Sequence, residues 1–501
     1  MTPADVIPLL LPLLASAAVV LVLVADLVLP RERGATLGWL TVALLSGLLV
    51  TSFAVTTTGA VGDAFVGTAW SVFFARLALV SALLGTLGAM AHVERQLPRR
   101  QGEYYALLLS SLVGMLLLPG ARDVLLLVVA FELMGIPLYV LAGYAKTDGP
   151  PLPPGDEPGS GRKSPAAEAA IKLYLVGASS TAITLFGLAL VVGVAGTTDI
   201  ATLLGEGPLA PLTRVGMVLV LAGMSFKIGL VPFHMWVPDT YQGASTPFVA
   251  FLSVAPKATG IAAFVSLFVL APAARADGGE GPWASVLLVL AAASMVLGNL
   301  LAVPQTDVRR LLGFSGVAQM GYVLLAVATG ASEGLSMAAF YLGAYVLTNM
   351  GVFFVLHAVA GDRGRHDLRE LWGLSQRAPF LGFALLVFLL SLAGIPFAVG
   401  FWAKLYVFLA AFRAGHAWLV ALGAVFAVVG LFYYMQVARA AFMNDATTAP
   451  EATAEGAPPI GIGLRAAVLI CLVGVLGLGL WPALLFEQTE PVGRALLEAA
   501  P

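Results

Sequence analysis

The chain has 501 residues, 59% of them hydrophobic and 11% charged, with a formal net charge of −2 and a mean hydropathy of +0.95. Soluble domains carry about a quarter charged residues, so this balance excludes water as the main solvent and leaves no basic surface for nucleic acid. The single cysteine, Cys471, lies in an apolar run, which excludes an internal disulfide and any zinc ribbon or iron–sulfur cluster held by this chain alone.

A bilayer core of about 30 Å takes roughly 20 apolar helical residues. Runs of that kind predict fourteen spans, near residues 5–29, 36–58, 69–93, 103–119, 122–145, 166–195, 210–231, 247–270, 283–303, 311–329, 334–360, 378–412, 416–443 and 463–486. Arg31, the first basic residue, follows the first run, so that run is expected to be a retained span rather than a cleaved signal. Leu, Ala, Val and Gly dominate without period-two alternation, which predicts an all-helical polytopic membrane protein rather than a barrel. Residues 1–501 read as a single membrane domain.

Basic residues orient the spans. With the amino terminus outward, sixteen Lys and Arg residues fall inward, Arg95, Arg99, Arg309, Arg310 and Arg439 among them. Five fall outward: Arg122, Arg214, Arg275, Arg413 and Arg494. Both termini are therefore expected on the outer side. The stretches 150–164, rich in Pro and Gly, and 444–459, rich in Ala, Thr and Glu, read as flexible inward loops.

Five ionisable residues fall near membrane depth: Glu132, Lys172, Lys227, Lys257 and Lys404. At about 2.5–3.5 kcal/mol each on the insertion scale, their summed cost is on the order of 12–17 kcal/mol. Such a set has to face protein or water. Helical rise puts Glu132, Lys257 and Lys404 each about 13–15 Å into the membrane, which predicts a horizontal row rather than a vertical pore. Lys172 follows Glu168 by four residues, so an ion pair near the inner surface fits it as well as a relay does. His234 follows a helix break and fits either a proton path or a loop cap. His92, His357, His366 and His416 stand at span ends and are expected to be solvated.

Two spans are interrupted. Pro232 follows Lys227 by five residues, and Gly394 and Pro396 break the twelfth span ahead of Lys404. Proline removes a backbone donor and frees a carbonyl one turn earlier, which a membrane tolerates where the break lines a cavity. The seventh and twelfth spans, broken alike and five spans apart, predict two related repeats. These would be spans 4–8 (residues 103–270) and 9–13 (residues 283–443), inverted because each holds an odd number of helices.

The stretch from Phe226 through Pro247, with Tyr241-Gln242-Gly243 and the following Ala255-Pro256-Lys257, resembles the signature of the antiporter-like proton-pumping subunits, in the form of subunit N of NADH:quinone oxidoreductase. Glu132-Leu133-Met134-Gly135, Glu168 through Tyr174, and Lys404 fit the same pattern. The resemblance implies a proton-translocating subunit of respiratory complex I in the bacterial inner membrane. Its electrons would pass from NADH through FMN and iron–sulfur centres to quinone, all in partner subunits, with no cofactor or metal in this chain. Neighbouring M- and K-type subunits and the lateral helix of the L-type subunit would be its partners. By the same resemblance Glu132 and Lys227 form a modulating pair, Lys257 the central relay and Lys404 the outward gate, with Lys172 linking the inner half-channel. The physical logic is that desolvation favours a neutral amine and a nearby carboxylate favours the ammonium, so moving the carboxylate away releases a proton. A subunit of a multi-subunit cation/proton antiporter or of a membrane-bound hydrogenase arm would share the spans and the lysines.

Overall fold

Hydrocarbon offers no partner to a free backbone amide, so each apolar run closes its own hydrogen bonds as a helix. The computed structural model describes residues 7–30, 34–55, 59–144, 165–204, 209–269, 283–361, 366–444 and 460–498. Of the expected inward loops, 150–164 and all of 444–459 but Asn444 lie outside the described residues.

The amino-terminal helices are α1 (Leu10–Val28), α2 (Thr36–Ala54) and α3 (Ala69–Gln96). A first group follows: α4 (Gln101–Leu117), α5 (Val124–Ala142), α6 (Pro165–Ala195), α7 (Pro211–Ile228), α8 (Trp236–Gly243), α9 (Thr246–Leu252) and α10 (Ala255–Phe268). A second comprises α11 (Ala284–Ala302), α12 (Val308–Val327), α13 (Ser332–Ala360), α14 (Leu374–Arg377), α15 (Pro379–Ala393), α16 (Val399–Arg413) and α17 (Ala417–Met443). The chain closes with α18 (Ile462–Leu480) and α19 (Ala483–Glu498).

Among the described residues, thirteen helical segments are long and apolar enough to cross a membrane, α9 and α10 counting as one. They coincide with thirteen of the fourteen predicted runs, with ends displaced by a few residues. The run at 378–412 differs because Gly394 and Pro396 divide it into α15 and α16, each of 15 residues. Two features had no sequence expectation. A short antiparallel hairpin pairs Gly59–Val61 with Phe65–Gly67, and Phe65 bridges to Ala121 at the entry to α5. The other is α19, which lies along α13, where the Ser336 hydroxyl donates to the Glu490 carbonyl at 3.0 Å.

Burial is uneven in a way that places the site. Every residue from Thr246 to Phe268 is buried, so α9 and α10 form the centre of the bundle together with α12 and α13. The rim helices α1, α6 and α17 instead present large apolar side chains outward, such as Leu27, Phe186 and Val428. A residue on α10 is therefore sealed from lipid by protein on all sides, and Lys257 is such a residue.

Close helix approach fixes the neighbours of α5. A Cβ built at Gly114 of α4 would stand 2.4 Å from the Met134 amide nitrogen and 2.6 Å from the Ala130 carbonyl oxygen. These are backbone atoms on either side of Glu132, so nothing flexible can give way. Gly114→Ala is expected to cost about 1–3 kcal/mol and to reduce both the thermal midpoint in detergent and the amount of assembled complex on a native gel. A parental midpoint would show that α4 and α5 do not touch there.

Candidate proton-relay site

The two interrupted helices end in the same way. At Gly229 (φ +81°) the Gly229 amide donates to the Phe226 carbonyl and the Leu230 amide to that of Ser225. At Gly394 (φ +86°) the Gly394 amide donates to Ser391 and the Ile395 amide to Leu390. Both are left-handed glycine caps with matching six-to-one and five-to-two bonds. Each cap also lies against a lysine. A Cβ at Gly229 would be 3.7 Å from Lys257 Nζ, and one at Gly394 would be 2.8 Å from Lys404 Cδ.

At the first break Lys227, in the last turn of α7, points toward α5. Its Nζ lies 3.8 Å from Glu132 Oε1 and donates to the Tyr139 hydroxyl at 2.7 Å. Glu132 Oε1 also accepts from Thr181 of α6 at 2.7 Å. The pair is asymmetric, because the Lys227 side chain is 10% exposed and that of Glu132 is 29% exposed, near the rim. Lys257 is fully buried, and its Nζ has no hydrogen-bond partner among the described residues. The Tyr241 ring faces it, 5.4 Å from the ammonium. Lys404 reaches from α16 to the open end of α15, donating to the carbonyls of Leu392 at 2.8 Å and Ala393 at 3.0 Å. Carbonyls at a helix carboxyl end carry the negative end of its dipole and favour a cation.

A tyrosine accompanies each of these three lysines: Lys227 meets the hydroxyl end of Tyr139, 5.3 Å from its ring centroid, while Lys257 and Lys404 lie over the rings of Tyr241 at 5.4 Å and Tyr322 at 5.2 Å. Ring quadrupoles attract ammonium ions within about 6 Å, most strongly when both are desolvated. They do so without a fixed negative charge, so the proton stays removable. The sequence assigns no role to these tyrosines, although Tyr241 stands inside the quoted motif. Tyr139 carried a usable signal, since it follows Glu132 by seven residues and shares its helix face.

Lys172 differs. It is 45% exposed and paired with Glu168 at 2.8 Å and with Asp239 at 2.9 Å. Asp239, inside the quoted motif but not singled out, also accepts from Arg310 of α12. Arg309 is buried and donates to the carbonyls of Ala244 and Gln242, clamping the turn between α8 and α9. Lys172, Asp239 and Arg309 line a cavity of about 360 Å³ together with His92, His357 and His366. Contrary to expectation, His92, His357, His366 and His416 are all buried. Span ends are wet only where neighbouring helices stop at the same level, and here they overlap. Burial pushes the His366 imidazole well below its usual value, with Arg309 and His357 acting in the same direction. His234 lies in the turn between α7 and α8, with its ring 6.3 Å from that of Phe314 and its carbonyl accepting from the Val237 amide.

Burial alone would raise the Asp239 carboxyl, but hydrogen bonds from Lys172 and Arg310 outweigh it and hold the group below the usual range. Its stabilising effect is therefore complete above the unfolded value of about 3.9 and is lost only as pH falls through the lower folded value. Asp239→Asn should cost about 1–3 kcal/mol of stability at neutral pH. The loss in thermal midpoint should stay constant from pH 8 to pH 5; a loss that vanished within that window would contradict the ion pairing.

The pattern of the NADH:quinone oxidoreductase/Mrp antiporter transmembrane family matches residues 121–430. NADH-quinone oxidoreductase subunit N of Heliobacterium modesticaldum is 37% identical over 427 residues, 85% of each chain. A chain of respiratory complex I from Thermus thermophilus superposes with a TM-score of 0.79 at 33% identity, covering 96% of this chain and 100% of that one. A chain of the Mrp complex from Dietzia sp. DQ12-45-1b gives 0.82 at 26% identity, covering 99% and 98%. On that evidence the chain belongs to the NADH:quinone oxidoreductase/Mrp antiporter family and groups within it with NADH-quinone oxidoreductase subunit N.

Proposed function

We propose that the chain is a proton-translocating membrane subunit of an NADH:quinone oxidoreductase, with Glu132, Lys227, Lys257 and Lys404 as its relay. The observation that carries the reading is Lys257: an ammonium sealed in the centre of the bundle with no carboxylate or carbonyl among the described residues in hydrogen-bonding contact. A side chain kept for stability alone would be paired, because an unpaired buried charge costs far more than it returns. In this reading Glu132 modulates Lys227, Lys257 passes the proton on and Lys404 releases it outward, while Lys172 and His234 serve the inner half-channel. NADH, FMN, iron–sulfur centres and quinone belong to partner subunits, and M-, K- and L-type subunits are the neighbours. Glu132, half open at the rim, is the residue through which a neighbour would act. Higher identity to subunit N relatives than to the Mrp chain favours this over a cation/proton antiporter.

The architecture we propose has fourteen spans, with α15 and α16 forming one broken crossing. It contains two inverted repeats over residues 103–270 and 283–443. The matched glycine caps at Gly229 and Gly394 support that pairing. The chain would lie in the bacterial inner membrane with both termini outward, which places the cavity holding Lys172, Arg309 and His366 on the inner side. A cysteine at position 99 should then label only after the membrane is permeabilised. Labelling of intact cells would reverse the orientation.

The relay is tested by proton translocation in inverted vesicles, normalised to assembled complex on a native gel. Lys227→Ala, Lys257→Ala and Glu132→Gln should each depress pumping by about tenfold or more, the scale set by losing a positioned proton-transfer group. Lys257→Arg should fail equally, since a guanidinium scarcely deprotonates. Full pumping by Lys257→Arg would remove Lys257 from the relay, and normal pumping by Lys227→Ala would remove the pair.

A further inference from the structure

Between Lys257 and Lys404 the bundle interior is not wholly apolar. Ser315 and Gln319, one turn apart on α12, and Tyr434 on α17 are almost completely buried. The Ser315 and Tyr434 hydroxyls share a hydrogen bond. Gln319 Nε2 donates to the Tyr434 hydroxyl at 3.0 Å and to the Leu392 carbonyl at 3.3 Å. That carbonyl is the one that also holds Lys404 Nζ, at 2.8 Å. At the other end Ser315 adjoins Gly316, where a Cβ would lie 3.1 Å from Lys257 Nζ and 3.1 Å from the Tyr345 hydroxyl. A bonded chain thus runs from the wall of the Lys257 pocket to the acceptor of Lys404.

Resting on the relay reading above, we propose that Ser315 and Tyr434 conduct protons from Lys257 toward Lys404, and that Gln319 is the positioning residue that interrupts this path while Lys404 is charged. A hydroxyl both donates and accepts, so each can take one proton on oxygen, release another and return to its starting state by rotating. A primary amide nitrogen donates two hydrogens and accepts none; it bonds to the chain without passing a proton along it. The amide orientation is set by its partners. The Leu392 carbonyl can only accept, so it faces the NH₂, and the Tyr341 hydroxyl donates to the amide oxygen. Gln319 and the Lys404 ammonium share one carbonyl, so the charge on Lys404 is felt directly at the amide. When Lys404 has given up its proton, its amine carries a lone pair and no longer needs the Leu392 carbonyl, so it can turn, while the amide stays on Leu392, and take a proton on Nζ from the Tyr434 hydroxyl directly or through one water. The interruption then opens only toward an empty acceptor, which blocks return flow.

Three variants in the assembled complex test this. Tyr434→Phe keeps the ring and removes the hydroxyl, Gln319→Leu removes every polar bond, and Gln319→Glu keeps the shape but can take a proton on one oxygen and release it from the other. In inverted vesicles Tyr434→Phe and Gln319→Leu should lower NADH-driven proton uptake per electron, normalised to assembled complex, by about fivefold, the ratio carried by one net hydrogen bond. Gln319→Glu should instead raise the passive collapse of an imposed pH gradient, without NADH, by about fivefold or more. A packing role alone would lower assembly in both Gln319 variants and raise leak in neither, and that result overturns the proposal. Lys257→Ala and Lys404→Ala run in parallel keep the two readings apart. If both pump normally, the relay reading itself fails. If both stop while Tyr434→Phe pumps at the parental rate and Gln319→Glu does not leak, only the link is overturned. Should Gln319→Leu fail to assemble, the other two variants decide the matter.

Discussion

An ammonium ion held in hydrocarbon needs an acceptor, and a regular helix has none to offer. Its carbonyls are already bonded to amides four residues on. The two broken helices answer this constraint. Where α15 stops at Gly394, the carbonyls of Leu392 and Ala393 lose their forward partners and take Lys404 instead. Where α7 stops at Gly229, the chain turns away and leaves room for Lys257. The lysines and the breaks therefore depend on each other: a continuous helix would leave the charges unsupported, and uncharged neighbours would leave the breaks exposed.

The three central lysines are held with graded strength. Lys227 has a carboxylate at 3.8 Å and a tyrosine hydroxyl, Lys404 has two carbonyls, and Lys257 has only a ring face. Such a gradient suits a proton that must arrive and leave, since equal and deep wells would trap it. Lys172 stands apart because two carboxylates hold it at a partly exposed position. Its bonds join α6 to α8, and Arg310 extends the link to α12. This cross-brace fixes the short helix α8, and α8 in turn carries Tyr241 to the face of Lys257.

Much of this was legible in the sequence, because hydrocarbon permits so few structures. Uniform apolar runs mark helices, and among the described residues thirteen are long and apolar enough to cross a membrane. The lysines showed themselves through their cost, and the breaks through Gly394, Pro396 and Pro232. What stayed hidden depends on contacts across the bundle. Tyr241 and Tyr322 are ordinary aromatic residues until α10 and α16 bring an ammonium over them. Asp239 carries no signal of its own in the sequence, and it gains two cations because α6 and α12 both pack against α8. The buried histidines were misjudged because sequence gives the end of a span but not the height of its neighbours. For Lys172 the sequence fits an ion pair as well as a relay, and the structure pairs it with Glu168.

The glycines at 229, 316 and 394 contribute no chemistry, yet they fix where the lysines can be. At two of them a positive φ would strain any residue with a Cβ, and at all three a side chain would meet a lysine or its surroundings. A methyl group added at any of the three would press on a lysine or its surroundings without removing a single titratable atom. The alignment of the proposed relay is thus set by positions that a search for reactive groups would overlook.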